Sequence, residues 1–306
     1  MINGTASEFA AIGSSSTPLS DASVHVNALT VDVEDYFHVS ALSKHLDRDS
    51  WNRLEYRVVA STETLLHLFD EAGIKATFFV LGWVAERSPE LVRRIHREGH
   101  EIACHGLTHE LVYRQSPEVF EEETHASKCL LEDATGSIVH GYRAASWSIT
   151  RQSLWALDTL CKLGFSYDSS IFPIRHDRYG IPNAPRWPGR ITAPGGQSIA
   201  EFPPSTVSIL GTRIPVSGGG YFRLLPYWLT RGALDRINRR DERAFMFYLL
   251  PLEIDPDQPR IKASPLSSFR HYTNLDKTER RLRKLVGEFN FSTAHSVLLR
   301  LGVLEA

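Results

Sequence analysis

Two histidines four residues apart, His105 and His109, form the pair in this sequence best suited to metal chemistry. This spacing places both imidazoles on one face if the segment turns helically. With one carboxylate, such a pair makes a site that leaves coordination positions open for water and substrate, as in catalytic zinc and related centres. On the spacing alone, two histidines on an ordinary loop remain the competing interpretation.

Three acidic residues, Asp32, Glu34 and Asp35, could supply the carboxylate. They follow the apolar run 27–31, and Asp32 directly ends what we interpret as a buried strand. Burying a carboxylate without a partner is unfavourable, so a metal or the cation of Arg143 would have to lie nearby. A carboxylate beside a metal site could act as the general base of a hydrolysis. An acidic turn on the surface is the alternative.

These residues stand where predicted strands end. From residue 61 to about 170, helical patterns that stop at glycine alternate with short apolar runs. This alternation predicts a parallel sheet or barrel of βα units, in which reactive groups collect at the carboxyl ends of the strands. The predicted strands are 27–32, 74–80, 100–105, 137–143 and 165–168, and the predicted helices are 61–72, 89–98, 117–135 and 150–163.

The rest of the chain is less regular. Residues 171–223 are rich in proline and glycine and predict long loops or short antiparallel structure. Beyond them we expect a helix over 226–240, a strand over 244–250 and a helix over 275–288. Residues 1–26 predict a mobile N-terminal tail, and 27–306 one folded domain.

Charge and composition exclude several function classes. The formal net charge of −2 over 306 residues offers no electrostatic footprint for nucleic acid. No apolar run is long enough to span a bilayer, and the N-terminus shows no basic segment leading into an apolar one. Three scattered cysteines, Cys104, Cys129 and Cys161, favour reduced thiols. We therefore expect a cytoplasmic protein, and the sequence carries no signal of its oligomeric state.

The acidic residues at 32–35, the histidine pair at 105 and 109 and Arg143, in this order along the chain, resemble the motifs of the polysaccharide deacetylases of carbohydrate esterase family 4, the NodB-homology domain. Segments 201–206, 218–222 and 253–260 further resemble the subfamily associated with exopolysaccharide biosynthesis and exosortase gene clusters. The resemblance implies an α/β fold, a distorted and incomplete (β/α) barrel of about seven parallel strands. It also implies a divalent metal, with zinc favoured, and removal of acetyl groups from N-acetylated amino sugars. The motif-like segments are 30–36, His105-Gly-Leu-Thr-His109, Gly141-Tyr-Arg143 and 167–173.

Residue roles follow from the resemblance position by position. Asp32 corresponds to the general base and Arg143 to the residue that orients it. Asp168 ends the predicted strand 165–168 within a motif-like segment, and we expect it to be a further catalytic residue, with a turn or cap role as the alternative. His105 and His109 correspond to the metal imidazoles, and the metal carboxylate is Glu34 or Asp35. The residues expected to line the substrate site are Tyr36, Trp147, Tyr221, Leu250 and Leu252.

Three departures from the family pattern matter. Ala145 stands where the third motif usually has proline, a small change of loop stiffness. Leu250 stands where the family has the histidine that protonates the leaving amine, and loss of such an acid typically costs about 10²–10⁴-fold. Leu252 replaces a tryptophan and so removes an aromatic wall. His271 and His295 are substitute acids in principle, although we expect both at surface or helix-end positions.

The sequence therefore predicts a metal-dependent deacetylase acting on an acetylated amino sugar of an exopolysaccharide or its precursor. Because of Leu250, its activity is expected to be weakened or retargeted. Two alternatives stay open: an O-deacetylase, and a sugar-binding or assembly protein with impaired chemistry.

Overall fold

The computed structural model describes residues 25–39, 42 and 46–305 of the chain. The predicted mobile tail falls almost wholly outside these residues. The first strand begins at Val26, one residue before the predicted start of the folded domain. In the described part of the chain, no helix is both long and apolar enough to cross a bilayer.

A curled sheet of nine strands forms the centre of the molecule. Seven strands run parallel in the order β10-β1-β2-β3-β4-β5-β7, which confirms the predicted α/β class and incomplete barrel. β6 adds antiparallel to β7 at one edge, β11 pairs parallel with the start of β1, and β8 and β9 form a separate hairpin. The strands are β1 (Val26–Val33), β2 (Thr77–Val80), β3 (Glu101–Cys104), β4 (Gly141–Tyr142), β5 (Tyr167–Asp168), β6 (Gly189–Thr192), β7 (Ser198–Glu201), β8 (Thr206–Ile209), β9 (Thr212–Pro215), β10 (Met246–Leu249) and β11 (Asn290–Ser292).

Helices cover the outer face of this sheet, and every predicted helix has a counterpart. The counterpart of the predicted helix 150–163 is shorter and spans only Ala156–Lys162. Ser153 forms hydrogen bonds with the backbone at Thr150 and Ser148 and so holds the residues before this helix in turns. The helices are α1 (Val58–Glu71), α2 (Gly82–Arg87), α3 (Pro89–Arg97), α4 (Pro117–Thr135), α5 (Ala156–Lys162), α6 (Gly219–Leu224), α7 (Tyr227–Arg239), α8 (Pro265–Tyr272), α9 (Leu275–Glu288) and α10 (Ala294–Arg300).

The ends of α4 show how local sequence sets these boundaries. The Ser116 hydroxyl accepts the backbone N–H of Val119, and Pro117 occupies the first helical position, where its missing N–H does no harm. The helix ends at Gly136, whose left-handed φ of 68° favours a residue without a Cβ. The predicted boundaries 117–135 are therefore reproduced.

Alternation along β1 decides which side chains reach the barrel interior. Leu29, Val31 and Val33 pack into the large core beneath the helices, whereas Ala28 belongs to a second core inside the barrel. Because successive strand residues face opposite sides, Thr30 and Asp32 share the inner face with Ala28. Polar groups thus occupy the carboxyl end of the barrel interior.

Candidate functional site

Three buried side chains meet at the carboxyl end of the sheet and form a candidate metal centre. One ligand atom from each of Glu34, His105 and His109 lies within 4.8 Å of the others. Oε2 of Glu34 is 2.7 Å from Nε2 of His109. Two imidazole nitrogens and one carboxylate oxygen, withdrawn from water, are a donor set that can hold a divalent metal ion.

The two histidines meet because of a loop, which corrects the expectation of a helical turn. β3 ends at Cys104, and residues 105–110 continue without helical structure. Gly106 has φ 79° and His109 has φ 57°, both in the left-handed region that non-glycine residues rarely adopt. The reversal brings the imidazole centroids to 5.6 Å. Backbone strain at His109 is typical of residues held for function.

Hydrogen bonding prepares His105 for a metal. Its Nδ1 lies 2.8 Å from the carbonyl oxygen of Arg143 and donates to it, so the lone pair of the neutral ring resides on Nε2. Burial lowers the pKa of His105 to about 3, so the ring is neutral at pH 7. A metal ligand must be in this state.

Hydrogen bonds to the backbone distinguish Asp35 from Glu34, the other candidate for the metal carboxylate. Its Oδ1 accepts the N–H of Tyr36, and its Oδ2 accepts the N–H groups of Arg57 and Val58 at 2.7 and 2.8 Å. The carboxylate thereby serves the N-terminus of α1. Burial raises the pKa of Asp35 to about 6 despite these bonds. Among the described residues, the three-ligand group contains Glu34 and not Asp35.

Asp32 and Arg143 form a buried ion pair beside the candidate centre. Nη1 of Arg143 donates to Oδ1 of Asp32 at 2.5 Å, and the arginine side chain is completely buried. Burial raises the pKa of Asp32, and the charge of Arg143 opposes that rise. A carboxylate beside three potential metal ligands, with a fixed cation behind it, is able to accept a proton.

Asp168 does not join these residues, contrary to our expectation of a catalytic role. Tyr167 faces the barrel interior against Phe79, so the next side chain along β5 faces the helix layer. There Asp168 accepts the hydroxyl of Ser170 at 2.5 Å and lies against the carboxyl group of Glu201. The alternation of strand residues predicts this orientation, whereas position at the strand end, the basis of our expectation, does not.

Two expected substrate residues, Tyr36 and Leu252, are instead buried in a cluster with Phe37 and Trp51. Only 1% of Tyr36 and 5% of Leu252 is exposed. Both act as packing residues of the rim, because an apolar or aromatic side chain gains more from burial against rings than from contact with water.

The other three expected substrate residues occupy the rim differently. Leu250 is partly exposed and packs between the Tyr36 cluster and a second cluster that includes Trp147 and Tyr248. The ring of Trp147 lies edge-to-face on Tyr248 at 5.0 Å. Tyr221 is partly exposed and hydrogen-bonds to Tyr179.

Neither substitute acid lies free at the centre. His271 is at the end of α8, as expected, but it is buried and its Nε2 lies 2.8 Å from Oε1 of Gln258. His295 stacks on His140 at 4.6 Å, and its backbone N–H donates to Glu101, the first residue of β3. It therefore lies at the amino end of the sheet, opposite the candidate centre.

Sequence reasoning missed three residues that surround the site. Thr30 and Ser169 contact Arg143 directly. Both could have been found, since Thr30 shares the inner face of β1 with Asp32 and Ser169 directly follows Asp168 at the carboxyl end of β5. His38 is buried between Trp51 and Trp83, with Nδ1 accepting the N–H of Asp35. No pattern in the sequence indicated that packing.

Two family models match consecutive parts of the chain. Residues 49–165 match the family described as polysaccharide deacetylase, and residues 169–299 match a domain of unknown function, DUF3473. The two regions share one sheet, because β10 pairs with β1. The second region also supplies Ser169 and Leu250 to the site.

Relatives with assigned names match only part of the chain. A chitooligosaccharide deacetylase from Bradyrhizobium sp. (strain ANU 289) is 33% identical over 100 residues, which cover 32% of this chain and 43% of that protein. A peptidoglycan deacetylase from Helicobacter pylori is 33% identical over 107 residues, covering 35% of this chain and 36% of that protein. The aligned part of this chain thus spans less than half the length of either relative.

A solved structure covers nearly the whole fold. The crystal structure of a putative polysaccharide deacetylase from Mycobacterium smegmatis superposes with a TM-score of 0.64 at 19% identity, covering 95% of each chain. This likeness concerns the fold. The sequence matches lead to one assignment: residues 49–165 form a polysaccharide deacetylase domain of the carbohydrate esterase family 4, or NodB-homology, type.

Proposed function

We propose that this protein is a metal-dependent hydrolase that removes acetyl groups from an acetylated amino sugar in an exopolysaccharide or its precursor. The observation that carries the proposal is the buried group of Glu34, His105 and His109 beside the ion pair of Asp32 and Arg143. Deacetylase relatives and the subfamily-like segments support the sugar substrate.

The residues present fit a divalent ion, with zinc favoured. Glu34 and His109 are buried with their ligand atoms close together, and His105 offers Nε2 because its Nδ1 is engaged. A bound zinc ion would polarise the acetyl carbonyl and lower the pKa of the attacking water. Asp35 stays outside this set because backbone N–H groups occupy both of its oxygens.

Asp32 would accept the proton of the attacking water. Arg143 bonds to Oδ1, which leaves Oδ2 to take the proton. The guanidinium stabilises the ionised carboxylate before the reaction, when the base must be charged. The pair is also neutral overall, which makes its burial tolerable.

Leu250 raises a second candidate function, hydrolysis of O-acetyl esters. The register of β1 with β10 pairs Val31 with Leu249, so Leu250 is level with Asp32 on the inner face. There it packs against the cluster that contains Trp147 and Tyr248, and its side chain has no proton to offer. An amine leaves poorly unless it is protonated, whereas an alkoxide leaves more readily. A site without the acid histidine therefore loses less activity on an ester than on an amide.

Acetate release tests these alternatives. Zinc-loaded wild type and Asp32→Asn should be incubated with an N-acetylglucosamine oligomer and with an O-acetylated glycan. Release that requires Asp32 and occurs from the amide supports the main proposal, and release from the ester alone supports the second. If neither substrate releases acetate while metal and sugar still bind, the protein is a sugar-binding or assembly protein.

We also propose that the protein acts in the cytoplasm, on a nucleotide- or lipid-linked sugar or on a growing chain at the inner face of the membrane. The three cysteines, all unpaired, support a reducing compartment. Fractionation of cells that express the native gene is the direct test, and recovery of the protein outside the cell contradicts the assignment.

A further inference from the structure

All five N–H donors of Arg143 have acceptors in the barrel interior. Nη1 donates to Asp32 and also to Oγ1 of Thr30 at 2.9 Å. Nη2 donates to Oγ of Ser169 at 2.9 Å and contacts Sδ of Met246 at 2.8 Å, and Nε donates to the carbonyl of Ser169 at 3.3 Å. Each N–H donor of this completely buried guanidinium therefore has an acceptor.

The two hydroxyl groups can act toward Arg143 only as acceptors. Oγ1 of Thr30 donates its hydrogen to the carbonyl of Phe247 at 3.2 Å, and Oγ of Ser169 donates to the carbonyl of Phe202 at 2.9 Å. Each hydroxyl has a single hydrogen, so its lone pairs face the guanidinium. Main-chain carbonyls on β10 and after β7 therefore fix the orientation of both acceptors.

Aromatic rings hold the guanidinium in a different direction. Cζ of Arg143 lies 3.9 Å from the ring centroid of Phe79 and 4.7 Å from that of Trp147. Contact with the face of a ring resists motion along the ring normal but permits sliding parallel to the ring. Position within that plane must come from directional hydrogen bonds, which Thr30 and Ser169 supply.

We propose that Thr30 and Ser169 are positioning residues that fix Arg143, and through it the carboxylate of Asp32, toward the Glu34–His105–His109 group. The inference rests on the proposed function for its catalytic consequence. Thr30 lies on β1 and Ser169 directly follows β5, and their hydroxyls accept from different nitrogens of Arg143. Removing either hydroxyl therefore leaves one N–H unpaired and frees the guanidinium to rotate toward the other. A shift of about 1 Å at a reacting group can cost about 10²-fold in rate.

Matched variants separate positioning from general stability. Thr30→Val keeps the shape and removes the hydroxyl, whereas Thr30→Ser keeps the hydroxyl and removes a methyl group. Ser169→Ala is compared with Ser170→Ala, because both serines are fully buried and hydrogen-bonded but Ser170 bonds to Asp168 and Ala144 instead of Arg143. Thr30→Val and Ser169→Ala should lower kcat about 10- to 100-fold with little change in KM or zinc content. Thr30→Ser should restore most of kcat, and Ser170→Ala should lower the melting temperature without a comparable loss of kcat.

A second readout does not depend on activity. In ¹⁵N-labelled protein, the guanidinium protons of Arg143 should exchange slowly with water in the wild type, Thr30→Ser and Ser170→Ala, and at least about 10-fold faster in Thr30→Val and Ser169→Ala. Unchanged exchange in the last two variants overturns the proposal, as does an unchanged kcat in an active enzyme. A wild type that releases no acetate counts against the proposed function alone, because the exchange rates still decide whether the hydroxyls hold Arg143.

Discussion

Oε2 of Glu34 lies 2.7 Å from Nε2 of His109, whereas the neighbouring carboxylate of Asp35 accepts three backbone N–H groups at the start of α1. Adjacent acids thus have separate tasks. Because Asp35 is held by these N–H groups, Glu34 is the one of the two whose carboxylate lies with the histidines.

This separation predicts opposite phenotypes for two conservative variants. Glu34→Gln should abolish stoichiometric zinc binding and leave the fold largely intact, as should His105→Ala and His109→Ala. Asp35→Asn should retain zinc but destabilise the protein by about 1 kcal/mol, because the negative charge at the start of α1 is lost. Metal analysis and thermal unfolding check both statements. Full zinc content in Glu34→Gln, or zinc loss in Asp35→Asn, contradicts the assignment.

Restoring the missing acid should increase amide hydrolysis. Leu250→His places a titratable side chain level with Asp32, and we expect acetate release from an N-acetylglucosamine oligomer to rise by about 10²-fold or less. Ester hydrolysis should rise less, because an alkoxide needs less help to leave. Leu250→Asn, polar but unable to supply a proton at neutral pH, is the control. A wild type already as fast as Leu250→His would show that the acid comes from elsewhere.

Leu252→Trp should not rebuild a stacking wall. Leu252 is buried against Tyr36, Phe37 and Trp51, so a tryptophan there overfills the cluster and should destabilise the fold by about 1–3 kcal/mol. Urea unfolding measures this, with Leu252→Met as the volume-conserving control. A Leu252→Trp variant of unchanged stability that binds sugar more tightly would contradict the packing role.

The carboxyl groups of Asp168 and Glu201 should make stability fall as pH rises. Burial, followed by the charge of Asp168, raises the pKa of Glu201 well above 4.5, so the folded state retains a proton that the unfolded chain releases. The stabilisation is fully present below about pH 4.5 and declines above it, by about 1.4 kcal/mol per pH unit while Glu201 stays protonated.

Glu201→Gln keeps a hydrogen-bond donor without the titrating proton. Its free energy of unfolding should therefore decline less than that of the wild type between pH 5 and pH 9, as measured by urea unfolding at several pH values. Parallel curves for the two proteins would show that the pair does not share a proton.

His271 should limit stability on the acid side without affecting catalysis. Burial lowers its pKa to about 4, so the neutral ring is favoured in the folded state. The stabilisation is present above about pH 6.5 and is lost as pH falls toward 4, for a total of about 3 kcal/mol. His271→Gln should flatten this loss and leave acetate release unchanged. A large fall in turnover would instead identify His271 as the missing acid.

The sequence by itself determined the parts that depend on neighbours along the chain. Ser116, Pro117 and Gly136 bounded α4, and the alternation of helical and apolar segments predicted the parallel sheet. Because carboxyl ends of parallel strands meet at one edge, the order of the residues was enough to group Asp32, His105 and Arg143. Because side chains alternate along β5, the sequence also allowed the prediction that Asp168 faces outward, toward the helices.

Tertiary structure alone decided the choices between equivalent residues. Asp35 was excluded from the metal group by α1, which begins more than twenty residues later and needs an acceptor for its first N–H groups. Leu252 was buried by rings from distant segments. Thr30 and Ser169 meet across Arg143 although 139 positions separate them in the chain. Local patterns fix the direction of a side chain, but its partners depend on packing between segments that the sequence does not place side by side.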